Sequence, residues 1–287
     1  MHRLSVIGLV LAGSVLAGLA RADECVQWQG GLQQGGLIWG QVAPGSRVTL
    51  DGKALTVLAD GTTFAGFGRN APAIAQLEVL VNGPENALCK QDLAVAAREY
   101  RIQRVEGVPQ QTVTPPPERQ ARIARERALV QAAKGRQIEN PELLEDALAG
   151  FVWPAQGPIS GVYGSQRYYN GTPGSPHYGV DVAVPKGHPV TAPTGGVVTL
   201  AESDLFYSGG TIILDHGYGL SSSFLHLSKV SVAVGQEVAT GELMGEVGAS
   251  GRATGPHLDW RMSWRGERID PQLLVPPMPD TPVPAKP

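Results

Sequence analysis

Short apolar runs separated by turn sequences dominate the first third of the chain. Four of these runs carry β-branched and other apolar residues: residues 37–39, 47–50, 54–58 and 77–81. Pairs typical of hairpin turns lie among them: Asp51-Gly52, Asp60-Gly61 and Asn82-Gly83. The pattern predicts a small β-sandwich over residues 23–105. This segment contains no histidine, and nothing in it suggests catalysis.

The spacing of apolar residues becomes helical after a proline-rich break. Pro115-Pro116-Pro117 ends the β region, and apolar residues then recur at helical intervals at Ile123, Leu129, Val130 and Ala133. Further along, Asn140 and Pro141 have the chemistry of a helix N-cap and a first helical residue. Residues 106–150 are therefore predicted to form a Pro-rich and helical linker, with one helix over 118–137 and a shorter one after residue 140.

From residue 151 to residue 275 the chain returns to strands and tight turns. Examples of the apolar runs are residues 197–200, 211–214 and 230–234. They predict a second, antiparallel β domain. Residues 276–287 are rich in proline and are predicted to be disordered. The expected fold class is thus mainly β, with a helical linker between two β domains.

Composition supports this expectation and removes one class of partner. The 287 residues include 37 glycines and 23 prolines, and 17% of them are charged. This mixture suits short strands and many turns, and the length suits about two domains. The net charge of −3 gives no electrostatic reason to expect binding to nucleic acid.

The first 22 residues have the pattern of a secretory signal peptide. Arg3 precedes an apolar run over residues 4–20, and Ala20-Arg21-Ala22 supplies a cleavage site. The alternative is an uncleaved membrane anchor. Export to an oxidising compartment, periplasmic or associated with the cell envelope, predicts a disulfide between the two cysteines, Cys25 and Cys89.

Candidate chemistry is confined to the second β domain. Five of the six histidines lie between His177 and His257. If residues 176–184 are extended, the alternation of residue types places His177 and Asp181 on one polar face. A lone His-x-x-x-Asp is more often an ordinary hydrogen-bonded or surface pair, so a second cluster is needed to suggest a site.

Residues 255–262 provide that second cluster. His257 and Asp259 alternate with apolar neighbours, so they share one strand face. Nitrogen and carboxylate ligands suit zinc, and a catalytic zinc site needs three protein ligands and one open position. His177, Asp181 and one member of this pair can supply the ligands, and His226 is a candidate to hydrogen-bond the attacking water or a developing oxyanion.

In these motifs the sequence resembles the lysostaphin-type, or LytM-like, zinc endopeptidases that cut peptidoglycan cross-links. The resemblance covers residues 153–274 and includes residues 161–167, the His-x-x-x-Asp at 177–181, residues 215–219, the segment around His226 and residues 248–257. It implies that His177 and Asp181 are metal ligands and that His226 and His257 are catalytic. The family's usual third ligand is a histidine two residues after His257, and here that position is Asp259.

This departure leads to a specific expectation for the metal site. A carboxylate can bind zinc at nearly the same distance as an imidazole, so Asp259 is expected to be the third ligand. Because two carboxylates offset the metal charge more fully than one, the metal should be a weaker electrophile, and manganese or another divalent ion becomes a competitor.

Three functions remain open from the sequence. The first is an exported, zinc-dependent endopeptidase acting on peptide cross-links of peptidoglycan. The second is a non-catalytic LytM-like regulator of cell-wall amidases, with possible links to division proteins, or a wall-binding module. The third is a structural carbohydrate-binding sandwich. The linker and the first domain are expected to hold or cover the peptidase groove.

Overall fold

The computed structural model describes residues 24–82, 87–106, 117–169 and 171–279. This part of the chain is mainly β, as predicted, with two α-helices: α1 (Pro117–Lys134) and α2 (Pro141–Ala149). The predicted signal peptide, residues 107–116 at the beginning of the linker and the last eight residues of the predicted disordered tail lie outside the described residues. Neither described helix combines the length and apolar character that a membrane span requires.

The N-terminal region contains two small antiparallel sheets. The first consists of β1 (Gln29–Gly30), β2 (Leu37–Gln41) and β5 (Thr62–Gly66). The second consists of β3 (Arg47–Leu50), β4 (Lys53–Ala54), β6 (Ile74–Leu80) and β7 (Leu88–Ala94). The Cys25–Cys89 disulfide joins the segment before β1 to β7, which confirms the predicted pairing.

The predicted strand over residues 54–58 is wrong in its extent. After two residues paired with β3, the chain leaves that sheet, and Val57 bridges Thr63 in the other one. Leu58 is 7% exposed, and Leu55 packs against the same core. The apolar run therefore crosses between the two sheets because its side chains fill the core, rather than continuing a ladder.

The end of the predicted N-terminal domain pairs with the C-terminal region. β8 (Ile102–Val105) lies parallel to β10 (Gln166–Tyr169), which also pairs with β11 (Thr172–Pro173). In the linker, the side chain of Asn140 accepts a hydrogen bond from the Glu142 backbone N–H, as expected of a helix N-cap. Helix α1 ends at Lys134, three residues before the predicted end, and Gly135 follows it.

A ten-stranded antiparallel sheet forms the C-terminal region. Its strands are β9 (Ile159–Gly161), β12 (Val180–Val182), β13 (Pro189–Thr191), β14 (Gly196–Leu205), β15 (Gly209–Asp215), β16 (Leu220–Val230), β17 (Glu237–Val238), β18 (Leu243–Val247), β19 (Leu258–Trp264) and β20 (Glu267–Ile269). The main path runs β17-β14-β15-β16-β19-β12-β9, with β18 beside β13 and β16, and β20 beside β19.

The predicted strand over residues 230–234 is also wrong. β16 ends at Val230, and the following residues turn back, with the Gln236 N–H donating to the Ala233 carbonyl. Val232 is nonetheless 9% exposed and belongs to the core. Its apolar character reflects this burial and not a strand ladder.

One hydrophobic core joins the two regions. One face of the large sheet buries Phe224, Trp260 and Met262 in the same cluster as Phe64 of the N-terminal region. The rings of Phe64 and Trp264 meet edge to face with centroids 5.8 Å apart. Because this face is filled, functional side chains have to project from the opposite face of the sheet.

Candidate metal centre and its surroundings

Pairing between β12 and β19 brings the candidate ligands together. Asp181 lies directly opposite Asp259 in the antiparallel register, and His177 lies four residues before Asp181. Each of these three residues offers one potential ligand atom, and the three atoms lie within 4.8 Å of one another. The side chains of His177 and Asp181 are 20% and 22% exposed, whereas that of Asp259 is 3% exposed.

Two atoms of this cluster lack ordinary partners. His177 Nε2 and Asp181 Oδ1 lie 3.2 Å apart, yet both are among the buried polar atoms of the described residues that have no hydrogen bond. Buried polar atoms in proteins are almost always satisfied, so an orphaned nitrogen and oxygen at one point need explanation. An imidazole and two carboxylates are a donor set that fits a divalent cation such as zinc.

Strand β16 departs from regular geometry at His226. This residue has φ of +65°, which is uncommon for a residue other than glycine. Regular alternation would turn His226 to the core face, as it does Phe224, because Leu225 pairs with Asp259 on the ligand face. The left-handed conformation instead brings His226 Nε2 to 4.0 Å from Asp259 Oδ2. Strained backbone of this kind is common at functional sites.

His257 lies beside His226 at the edge of the ligand cluster. Their ring centroids are 4.8 Å apart, and His257 Nε2 is 3.9 Å from Asp181 Oδ1. The Nδ1 atoms of His226 and His257 are each 2.8 Å from a backbone carbonyl, of Ser250 and Gly255 respectively. When Nδ1–H donates to that carbonyl, Nε2 of the neutral ring has a free lone pair.

Burial controls the protonation of His226. It lowers the pKa of the imidazole below its ordinary value, and the Ser250 carbonyl and the Asp259 carboxylate only partly offset this effect. His226 is therefore neutral at pH 7, which suits a group that accepts a hydrogen bond or a proton.

Arg261 was not singled out from the sequence, and it contacts the candidate ligand Asp259 directly. Arg261 Nε donates to Asp259 Oδ1 at 2.9 Å, and Nη2 donates to Oδ2 at 2.5 Å. Burial alone raises the pKa of Asp259, but Arg261 outweighs it and holds this pKa below the ordinary value. The available signal was alternation, because residue 261 shares the strand face of residues 257 and 259.

The Arg261 pair changes the electrostatics expected for the site. Two carboxylates carry −2, and adding Arg261 gives −1. A set with one carboxylate and two neutral histidines also carries −1. The pair Asp259–Arg261 therefore presents the same formal charge as the histidine that it replaces.

His216, which lies in the motif over residues 215–219, has a structural environment. It is fully buried, with its ring nitrogens 2.8 Å from the Gly195 carbonyl and 2.8 Å from Ser222 Oγ. Burial lowers the pKa of His216 to about 4. A neutral imidazole that joins the loop before β14 to strand β16 is a structural element and not a member of the ligand cluster.

Helix α1 lies on the same sheet face as the ligands. Val130 and Ala133 pack against a separate apolar cluster formed by Leu200, Leu205 and Ile213. Ile213 pairs with Ser223, and Ser223 pairs with Arg261, so all three side chains share the ligand face. Part of the linker thus lies on the same sheet face as the candidate ligands, and the expectation that it holds or covers the peptidase groove stays a prediction.

Comparison with known proteins identifies relatives of this region. The family model described as "Peptidase family M23" matches residues 175–271. The crystal structure of a putative peptidase M23 from Pseudomonas aeruginosa is 31% identical, with a TM-score of 0.62, and the match covers 84% of this chain and 93% of that chain.

Two curated relatives match over shorter stretches. The peptidoglycan DD-endopeptidase ShyA of Vibrio cholerae is 38% identical over 104 residues, which cover 36% of this chain and 24% of ShyA. The cell division protein DipM of Caulobacter vibrioides is 28% identical over 170 residues, which cover 57% of this chain and 26% of DipM. The chain thus spans about a quarter of the length of these two relatives.

Proposed function

The chain belongs to peptidase family M23, and on that basis we propose that it is a metal-dependent endopeptidase that cuts peptide cross-links of peptidoglycan. The similarity to a peptidoglycan DD-endopeptidase over 104 residues supports the substrate class. The observation that carries the proposal is the convergence of His177, Asp181 and Asp259, whose potential ligand atoms lie within 4.8 Å of one another.

These three residues are proposed to hold zinc, with manganese or another divalent ion as a competitor. When bound, such an ion supplies Lewis acidity toward a peptide carbonyl and makes water more acidic. His257 is proposed as the general base that takes a proton from the attacking water and passes it to the leaving amine. His226, kept neutral by burial, accepts a hydrogen bond from the same water and orients it.

Action in the cell envelope is part of the proposal. Residues 1–22 have the pattern of a signal peptide, and the Cys25–Cys89 disulfide is typical of proteins in oxidising compartments. We propose the same domains as the sequence predicts, with one modification. Strand β8, at the end of the N-terminal domain, pairs with β10 of the peptidase region.

A non-catalytic regulator of cell-wall amidases or of division proteins is the second candidate. One observation favours it: both carboxylate oxygens of Asp259 already accept hydrogen bonds from Arg261. If this ion pair excluded the metal, the site would be unable to activate water. The two candidates differ in metal content and in cleavage, so they can be separated directly.

The test compares metal content and cleavage of a purified cross-linked muropeptide. The wild-type protein should hold one zinc per chain and release monomers. Asp259→Ala should lose the metal, Asp259→His should retain it, and His257→Ala should retain the metal but lose turnover. Full metal occupancy in Asp259→Ala means that the ligand assignment is wrong, and a wild-type protein without cleavage in any divalent ion supports the regulator.

A further inference from the structure

A group of cations lies next to the ligand cluster on the same sheet face. Arg261 and Ser263 follow Asp259 at two-residue steps along β19, so their side chains point the same way. Arg268 of β20 lies directly opposite Ser263. Lys134, the last residue of helix α1, reaches the same point, with Nζ 3.5 Å from Ser263 Oγ.

The positive charges of this group are not balanced. Arg261 is paired with Asp259, but within the described residues neither Lys134 nor Arg268 has a carboxylate at ion-pair distance. The Arg268 guanidinium lies over the ring of Tyr178, with its carbon atom 5.9 Å from the ring centroid. Half-buried cations that converge without an anion are unfavourable unless a ligand provides the missing charge.

The pKa values of Lys134 and Arg268 also reflect cations whose charge is not balanced. Burial lowers the pKa of Lys134 well below its ordinary value, and the Arg268 and Arg261 guanidiniums lower it further. Burial also lowers the pKa of Arg268, and Arg261 adds to this effect. An anion at this position would reverse both effects by stabilising the charged forms.

We propose that Lys134, Arg268 and the outer edge of Arg261 form a subsite for the C-terminal carboxylate of the peptide substrate. The inference rests on the proposed function, because it assumes that the substrate is a peptide lying along this face. Arginine and lysine are the side chains that bind carboxylates, and the Arg261 side chain keeps 30% of its surface exposed. We refer to these three residues as the cationic subsite.

Strand geometry sets the distance between the subsite and the reaction. Side chains two residues apart on one strand are separated by about 7 Å, and those four residues apart by about 13 Å. An extended peptide has the same rise, so the recognised carboxylate would lie about two to four residues from the bond that is cut. Lys134 also gives the linker a role in substrate binding, since it comes from helix α1.

Equilibrium binding to the metal-free protein tests the subsite without requiring cleavage. The probes are an N-acetylated stem tetrapeptide with a free C-terminal carboxylate and the same peptide as its C-terminal amide. The wild-type protein should bind the acid about tenfold more tightly than the amide, because a charge-assisted hydrogen bond contributes on this scale. Arg268→Gln and Lys134→Met should each remove most of this preference.

Arg127→Gln is the matched control, because Arg127 is an exposed arginine of the same helix. This variant should keep the preference for the acid. Equal binding of acid and amide by the wild-type protein, or equal losses for both peptides in the two subsite variants, would overturn the inference. Displacement of inorganic phosphate by both peptides alike would also overturn it, since the C-terminal carboxylate would then contribute nothing to binding.

The outcomes separate this inference from the proposed function. A protein that cleaves the cross-linked muropeptide without preferring the acid retains the peptidase function and loses the subsite. A protein that prefers the acid but never cleaves retains the subsite and loses the peptidase function.

Discussion

Replacing Arg261 by glutamine should destabilise the metal-free protein much more than the metal-loaded protein. The substitution removes the partner of Asp259, whose side chain is 3% exposed, and leaves a buried carboxylate without a countercharge. In the metal-loaded protein, the divalent ion provides that countercharge if Asp259 is a ligand. The difference between the two conditions therefore measures how closely Asp259 is coupled to the metal.

The expected size follows from burial. Removing one partner of a fully buried ion pair costs about 3–5 kcal/mol. Arg261 keeps 30% of its side-chain surface exposed, so solvent already screens part of the interaction. We therefore expect a loss of about 2–3 kcal/mol in chelator and less than about 1 kcal/mol in saturating zinc.

The assay is urea unfolding followed by tryptophan fluorescence, in chelator and in excess zinc. Arg127→Gln is the control and should change the free energy of unfolding by less than about 0.5 kcal/mol in either condition. Equal losses for Arg261→Gln with and without zinc would show that Asp259 does not contact the metal. A loss below about 0.5 kcal/mol in chelator would show that the ion pair contributes little to stability.

Two further predictions concern stability away from the metal. Replacing Cys25 and Cys89 by serine should lower the free energy of unfolding by about 4 kcal/mol and leave zinc stoichiometry unchanged. A decrease below about 1 kcal/mol contradicts the chain-entropy argument. The pKa of His216 in the folded protein is about 4, below the ordinary 6.5. The stability that the neutral ring contributes to the fold is therefore fully present above pH 6.5 and is lost toward pH 4. Unfolding at pH 7 and pH 4.5 should show a loss of roughly 2–3 kcal/mol, and His216→Asn should flatten this dependence.

Strand alternation grouped part of the candidate site from the sequence. The two-residue spacing of His257 and Asp259 places them on one face, because strand side chains repeat every two residues. Strand β12 covers only Val180–Val182, so His177 lies before the strand and alternation alone does not place it beside Asp181. The sequence did not predict that Asp181 lies directly opposite Asp259, because this pairing depends on the register between β12 and β19. Register is a tertiary property that one sequence segment does not encode alone.

Other features required information that no local pattern contains. His226 joins the site through a positive φ at a position without glycine, so alternation alone assigns it to the wrong face. Lys134 reaches Ser263, the residue opposite Arg268, because α1 packs on the sheet, although Lys134 and Arg268 have 133 residues between them. The apolar runs at 54–58 and 230–234 were predicted as strands because periodicity cannot distinguish a strand from a buried crossing segment.

Digestion of purified sacculi shows whether the chain is a metal-dependent endopeptidase that acts on peptidoglycan. The zinc-loaded protein is incubated with sacculi, with and without a chelator, and the soluble muropeptides are analysed by mass. We expect monomeric muropeptides cut in the peptide cross-links. These products should be absent in chelator and should appear again when zinc is restored. Intact cross-links in the presence of fully bound zinc would contradict it and would identify the chain as a non-catalytic member of the family.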